Sequence, residues 1–216
     1  MRRIVVSAAV IVVLAAAVVV DRQDTAHAPS APGTIVATPI QGSGYTGQDL
    51  LAQLRIAPED TAAYDPAVWN GQHQPGCDLR AAVLREFGTG DVHGTGCDPA
   101  CPTVACWTSN YDNVHTSDAG QLVLDRRVSA QEAHRSGAAA WSDARRAEFL
   151  DDAENFAPTT AVTAHAHDGR DAAHWQPVEA WQCFYALPYA QTKIDWDLTV
   201  DQAEFDALAS MFTWCP

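Results

Sequence analysis

Two groups of side chains in this 216-residue chain have the types and spacing for chemistry. The first is His165-Ala166-His167, followed by Asp168 and, seven residues beyond His167, by His174. On a helix His167 and His174 share a face and His165 does not. Together with Asp125 and Asp168 these imidazoles could hold a cation such as zinc, which accepts nitrogen and carboxylate donors. The competing reading is a loop of solvated polar residues. The second group is Cys77, Cys97, Cys101, Cys106, Cys183 and Cys215. His93, Cys97, Cys101 and Cys106, at spacings of four, four and five, could surround a tetrahedral zinc ion. An even cysteine count in an exported chain favours three disulfides instead, with fifteen possible pairings. A bond between Cys183 and Cys215 would staple the last helix onto the body. Asp195 and Asp197 flank Trp196; a carboxylate pair beside an aromatic ring could grip a sugar, and a buried tryptophan between solvated acids is the ordinary alternative. GxSxG and P-loop patterns are absent, which argues against serine hydrolases and nucleotide kinases.

The N-terminus bears on the cysteine chemistry. Met1-Arg2-Arg3 precede seventeen uncharged residues from Ile4 to Val20. That stretch exceeds a usual signal-peptide core of about 7–15 residues and reaches the lower limit of about 17 for a membrane span. Residues 1–20 therefore read as a signal peptide or an N-terminal membrane anchor. The preceding arginines keep that end inside, so the protein is expected to be secreted or anchored on the outer face of the cytoplasmic membrane. Residues 21–45, rich in Ala, Pro, Ser, Thr and Gly, read as a flexible linker, and residues 46–216 have the length of one domain. Without Arg2 and Arg3 the chain carries 11 basic residues against 27 acidic ones, a net charge of −16. Such acidity disfavours nucleic acid, whose phosphates are bound through Lys and Arg. It leaves a protein or an anion as partner, and a membrane only through the N-terminal segment. Lys193 is the sole lysine, which makes Schiff-base chemistry a poor option.

The elements that would position these residues are short. A helical stretch over 48–54 ends at Pro58, and Leu79, Val83 and Leu84 recur at helical spacing in a helix that Cys77 anchors. Residues 88–120 read as a disulfide-braced hairpin region with a strand near 104–108. Gln121-Leu122-Val123-Leu124 is the best strand signal, running into Asp125-Arg126-Arg127-Val128 before a helical stretch to Ala140. Strand into polar turn into helix is a frequent site architecture. Further helices are predicted over 142–150, with Ser142 as N-cap, and over 183–193. Thr199-Val200-Asp201-Gln202 has capping-box spacing, opening a helix to Phe212 with Val200, Phe205, Leu208 and Phe212 inward.

These landmarks together resemble a known family, the secreted bacterial HNH-type nucleases related to the C-terminal part of the GmrSD restriction enzymes. The residues that carry the resemblance run from Leu50 to Cys215. They include Ala57-Pro58-Glu59, Gly76-Cys77-Asp78-Leu79-Arg80, Leu124-Asp125, Ser136-Gly137-Ala138, Asp152 with Asn155, and Gly169-Arg170-Asp171 with Trp175. The resemblance implies an α+β fold, a mostly helical, disulfide-braced single domain around a small ββα-metal element. It places the metal carboxylate on Asp125 and the Asn that orients the catalytic histidine on Asn155. The catalytic histidine falls on Arg126, the helical metal-binding Asn on Ala164, and a common Lys on His167.

Arginine cannot act as a general base at neutral pH, because its pKa exceeds about 12. Losing general-base catalysis costs about 10²–10⁴ in rate. The site expected from this reading has Asp125, Arg126 and Asn155 in catalytic positions and Asp125 with His165 or His167 as ligands of a divalent metal, Mg or Zn. The expected function is metal-dependent phosphodiester hydrolysis, weakened or lost. The alternative is a non-catalytic extracytoplasmic binding module in which Arg126 and Arg127 hold an anion or an acidic partner. The two differ in whether His165 or His167 comes within about 5 Å of Asp125, a reach compatible with shared metal ligation.

Overall fold

Helix α6, Gln182–Asp195, forms the spine of the larger core. Tyr185, Ala186, Tyr189, Ala190 and Lys193 are all buried, a stripe with helical spacing. Against it pack α1 (Gly47–Leu51) and α7 (Gln202–Met211). The same cluster takes in Trp69, Tyr111, Phe149, Leu198 and Leu208. A smaller core lies beneath α2 (Cys77–Phe87) and joins Val83, Leu84, Trp107, Leu122, Leu124 and Phe156. The computed structural model describes residues 46–69, 74–94 and 96–215. The expected export segment and linker, residues 1–45, lie outside the described residues.

The remaining elements are β1 (Arg55–Ile56), β2 (Trp107–Thr108), β3 (His115–Thr116), β4 (Leu122–Arg126), α3 (Ala130–Arg135), α4 (Asp143–Leu150), β5 (Phe156–Thr160), α5 (Ala161–His167) and β6 (Thr199–Val200). Three two-stranded sheets form: β1 with β6, parallel, and β2 with β3 and β4 with β5, both antiparallel. The architecture is thus mixed, with helices and small sheets in a disulfide-bonded domain. Between β4 and β5 the chain makes α3 and α4, then returns so that Asp125 faces Ala157 and Arg126 faces Phe156. Alternation along β4 sends Leu122 and Leu124 into the smaller core and turns Val123 and Asp125 to the opposite face.

Several boundaries differ from the sequence expectations for local reasons. The helix expected to reach Ala140 ends at Arg135, because Gly137 adopts φ +112° and redirects the chain. The expected capping box at Thr199 is not made. Thr199 and Val200 are extended and paired with Arg55 and Ile56, and Asp201 caps α7 by accepting from the Glu204 amide at 2.8 Å. Ser142 caps α4 as expected. The zinc alternative for His93, Cys97, Cys101 and Cys106 is overturned: Cys77–Cys97, Cys101–Cys106 and Cys183–Cys215 are disulfides, so no thiolate remains for a metal.

One polar group sits inside the larger core. Lys193 is 0% exposed and donates to Glu132 Oε1 at 2.6 Å, Ser136 Oγ at 2.6 Å and the Thr199 carbonyl at 3.0 Å. Its ammonium also lies 2.9 Å from Glu204 Oε1, which accepts from the Tyr189 hydroxyl. The cluster ties α3, α6 and α7 together.

Candidate functional site

A cleft of about 460 Å³ opens where the outward face of β4 meets α5, the start of α3 and the Tyr64–Pro66 turn. Asp125 is on its lining because the strand alternation turns it away from the smaller core. Thr160 ends β5 and caps α5, accepting from the Thr163 amide, so the helix starts without a linker. Seven residues at 1.5 Å rise carry α5 back alongside the β4–β5 pair. Its last residue, His167, then donates or shares a proton through Nδ1 with Asp125 Oδ2 at 2.7 Å.

His167 is 0% exposed and enclosed by aromatic rings, with Trp175, Tyr111 and Tyr185 centroids at 4.8, 5.9 and 6.1 Å. Its Nε2 lies 3.4 Å from the Tyr185 hydroxyl. Both ring nitrogens therefore face protein groups, and the imidazole orients Asp125 from behind. Burial, and then the charge of Asp125, hold the Tyr111 phenol well above its ordinary range, so it stays neutral.

The other expected site residues are placed as follows. Arg126 lies beside the cleft, but its Nε and Nη2 donate to the Leu150 carbonyl at 3.1 and 2.6 Å, and its guanidinium stacks 4.7 Å over Phe156. Burial lowers its pKa to about 10, which leaves it protonated at neutral pH. Arg127 is buried and donates to the Glu154 and Phe156 carbonyls at 2.9 and 2.6 Å. His165 is exposed on α5 and lines the cleft with Asp168. The face expected to unite His167 with His174 does not form, because α5 ends at His167 with Asp168 in the left-handed region. His174 bonds Asp171 Oδ1 at 2.7 Å instead.

Asn155 is 0% exposed, and its amide is committed to the main chain. Its Oδ1 accepts from the Val128 amide at 2.9 Å and its Nδ2 donates to the Val128 carbonyl at 2.8 Å. It thereby locks the exit of β4 to the entry of β5, and it makes no hydrogen bond to Asp125 or His167. Asn155→Ala should leave both Val128 groups unpaired and lower stability by about 1–3 kcal/mol, read from the midpoint of urea unfolding.

Asp125, His165 and His167 do not form a group of converging ligand atoms, and His167 has no nitrogen turned to the cleft. Among the described residues the group of three whose ligand atoms lie within 4.8 Å of one another is Glu59, Asp171 and Asp201. The Asp125 cleft thus does not fit a preassembled cation centre. Sequence reasoning missed this acidic trio, which joins three distant segments and leaves no local pattern. It also missed Tyr111, Trp175 and Tyr185 around His167, and the role of Lys193. The last had a signal, since Lys193 continues the apolar spacing of Tyr185, Ala186, Tyr189 and Ala190.

No family model matches the chain, and no solved structure matches it. A protein of Arthroderma benhamiae named "Uncharacterized secreted protein" is 29% identical over 193 residues, covering 86% of this chain and 93% of its own. These findings overturn the expected membership of a bacterial HNH-type nuclease family, since no nuclease model is matched and the relative found is fungal. The landmarks that suggested it have local duties: Cys77 closes a disulfide, Gly137 turns the chain, and Asn155 pairs with Val128.

Proposed function

We propose that the protein is an extracellular ligand-binding module whose site is the Asp125 cleft. The observation that carries this reading is the inward placement of His167, which fixes the Asp125 carboxylate and keeps both of its own nitrogens on protein groups. At position 126 stands an arginine directed to Leu150. The cleft offers fixed hydrogen-bonding groups in a concave surface of the size that small ligands occupy, about 300–1,000 Å³. Export is supported by three disulfides, which persist in oxidising compartments, by the apolar stretch from Ile4 to Val20, and by the secreted relative.

A second reading, cation-assisted phosphodiester hydrolysis at a reduced rate, draws on two observations, the first being that His167 lies 2.7 Å from Asp125, within the reach of about 5 Å expected of a shared catalytic site. The second is that β4 and β5 pair antiparallel around the α3–α4 excursion and α5 follows β5 at once, with the Asp125 carboxylate on the open face. Calorimetry of the full chain and of Asp125→Ala with Mg²⁺ and with Zn²⁺, followed by plasmid nicking, separates the two. Binding alone is expected to give neither nicking nor a cation heat that depends on Asp125. Amide NMR shifts of Gln131, His165 and Asp168 should respond to at least one small probe bearing a guanidinium, a phosphate or a sugar, and Asp125→Ala should abolish them. Nicking lost in Asp125→Ala would replace the first reading with the second.

A further inference from the structure

The hydrogen-bonding phase of the β4–β5 pair decides which main-chain groups reach the cleft. In an antiparallel pair, residues that exchange both bonds with the partner strand alternate with residues whose N–H and C=O point away from it. The Arg127 amide donates to the Asn155 carbonyl at 2.8 Å, which continues the register past Arg126 and Phe156 and makes Val123, Asp125 and Arg127 the bonded residues. Strand β5 agrees with this phase. Pro158, opposite Leu124, has no N–H to give, and its carbonyl accepts from the Asn110 amide at 3.1 Å on the far side. Leu122, Leu124 and Arg126 therefore turn their main-chain groups to the outer edge of β4.

The two outer edges of this sheet differ. That of β5 is closed by Pro158, by the Asn110 amide and by Ser109 Oγ, which accepts from the Thr160 amide at 3.3 Å. That of β4 is closed at its start, where the Leu122 amide donates to the Ala119 carbonyl and the Leu122 carbonyl accepts from Arg80 Nη2 at 3.0 Å. At Leu124 it is open: among the described residues no group takes up the Leu124 N–H or C=O. Leu124 lines the cleft although its side chain lies in the smaller core and the residue is only 6% exposed. What it presents there is its main chain. An open strand edge is a template for a further strand, and folded proteins cover or blunt such edges, as the far edge of β5 is covered here. On β4 a donor and an acceptor at strand spacing are instead left in the wall of a concave site. A peptide main chain answers both, because each residue of an extended strand presents one carbonyl and one amide on the same side.

We infer that the occupant of the Asp125 cleft is an extended peptide segment of another extracellular protein, which adds to β4 as a third strand and pairs with the Leu124 amide and carbonyl. This inference rests on reading the cleft as a binding site. Its test is amide NMR of the full chain with acetyl-Thr-Val-Xaa-Val-Thr-amide, where Xaa is Lys, Glu or Ser. The controls are the same three peptides N-methylated at both valines and at Xaa, which keeps the side chains and removes the central donors. At least one plain peptide is expected to move the Leu124 amide resonance and to slow its hydrogen exchange by about tenfold or more. The Val123 amide, bonded to β5 throughout, should keep its rate, which separates strand addition from a general gain in stability. The N-methylated peptides should leave Leu124 unchanged. Ala161→Trp, at an exposed position on the lining, should block the cleft and abolish the protection, with circular dichroism reporting that the variant is folded. Protection of Leu124 that N-methylation does not diminish, that persists in Ala161→Trp, or that no plain peptide produces would overturn the inference. If the peptides fail while a guanidinium, phosphate or sugar probe gives Asp125-dependent shifts, the inference falls and the binding reading stands. If no probe of either kind moves the cleft resonances, both fall.

Discussion

Lys193→Met is expected to destabilise the fold by about 3–5 kcal/mol at pH 8, the cost of leaving buried charge without its partner. The ammonium is fully buried between Glu132 and Glu204, and of these two carboxylates Arg135 pairs with Glu132 alone, at 2.6 Å. Burial raises the Glu204 carboxyl from its ordinary 4.5 to about 7, against the pull of Lys193. Burial opposes ionisation of Glu132 too, but Lys193, Ser136 and Arg135 hold its carboxyl below the ordinary value. The sign for Glu204 follows from linkage: between about 4.5 and 7 the folded state binds more protons than the unfolded state. Its contribution to stability is therefore largest at low pH and declines as pH rises through that window. Lys193→Met should consequently cost less at pH 5, where the orphaned carboxyls can protonate, than at pH 8. Glu204→Gln in the wild-type background should flatten the decline, because Glu132 still pairs with Lys193. Urea unfolding at the two pH values checks all three outcomes. A cost for Lys193→Met that is equal at pH 5 and pH 8 would show that the lysine acts by packing alone.

Removing the Cys183–Cys215 bond by Cys183→Ala with Cys215→Ala should cost about 3–4 kcal/mol, which for a domain of this size is roughly 7–15 °C in Tm. The bond closes a separation of 32 residues and joins the start of α6 to the end of the chain beyond α7. Without it, the Phe212–Trp214 turn keeps its packing against α6 and α7 and the bond from the Thr213 hydroxyl to the Ser210 carbonyl. The pair Cys101→Ala with Cys106→Ala should cost less, about 2 kcal/mol, because only five residues separate those cysteines. Thermal unfolding followed by circular dichroism ranks the two. A larger loss from the short loop would mean that local packing, and not chain entropy, sets the value of these bonds.

Much of the local structure was legible in the residues. The apolar run from Leu122 to Leu124 announced a strand, although Asp125, expected in the polar turn after it, is part of a strand that runs on to Arg126. Ser142 announced a helix start, and six cysteines behind an apolar N-terminus announced disulfides. Each of these signals lies within a few residues of the feature it describes, because strand pleat, helix caps and redox chemistry act over that range. The partner of Asp125 was not legible. His167 was one of several histidines of equal promise, and what selected it was the register of β4 on β5 together with the length of α5.

The same division holds for the other long-range pairings. Asn155 had the residue type for orienting a histidine, yet the return of the chain set it against Val128. Arg126 stood next to the key carboxylate in sequence, and the end of α4 turned it toward Leu150. The sequence by itself determined which short segments are helical or extended and that the cysteines would oxidise. The tertiary structure alone decided which cysteines pair, which carboxylates meet Lys193, and that His167 faces inward. The reason is that closing a loop costs free energy that grows only with the logarithm of its length. Sequence separation therefore discriminates weakly among distant partners, and close packing of the core makes the choice.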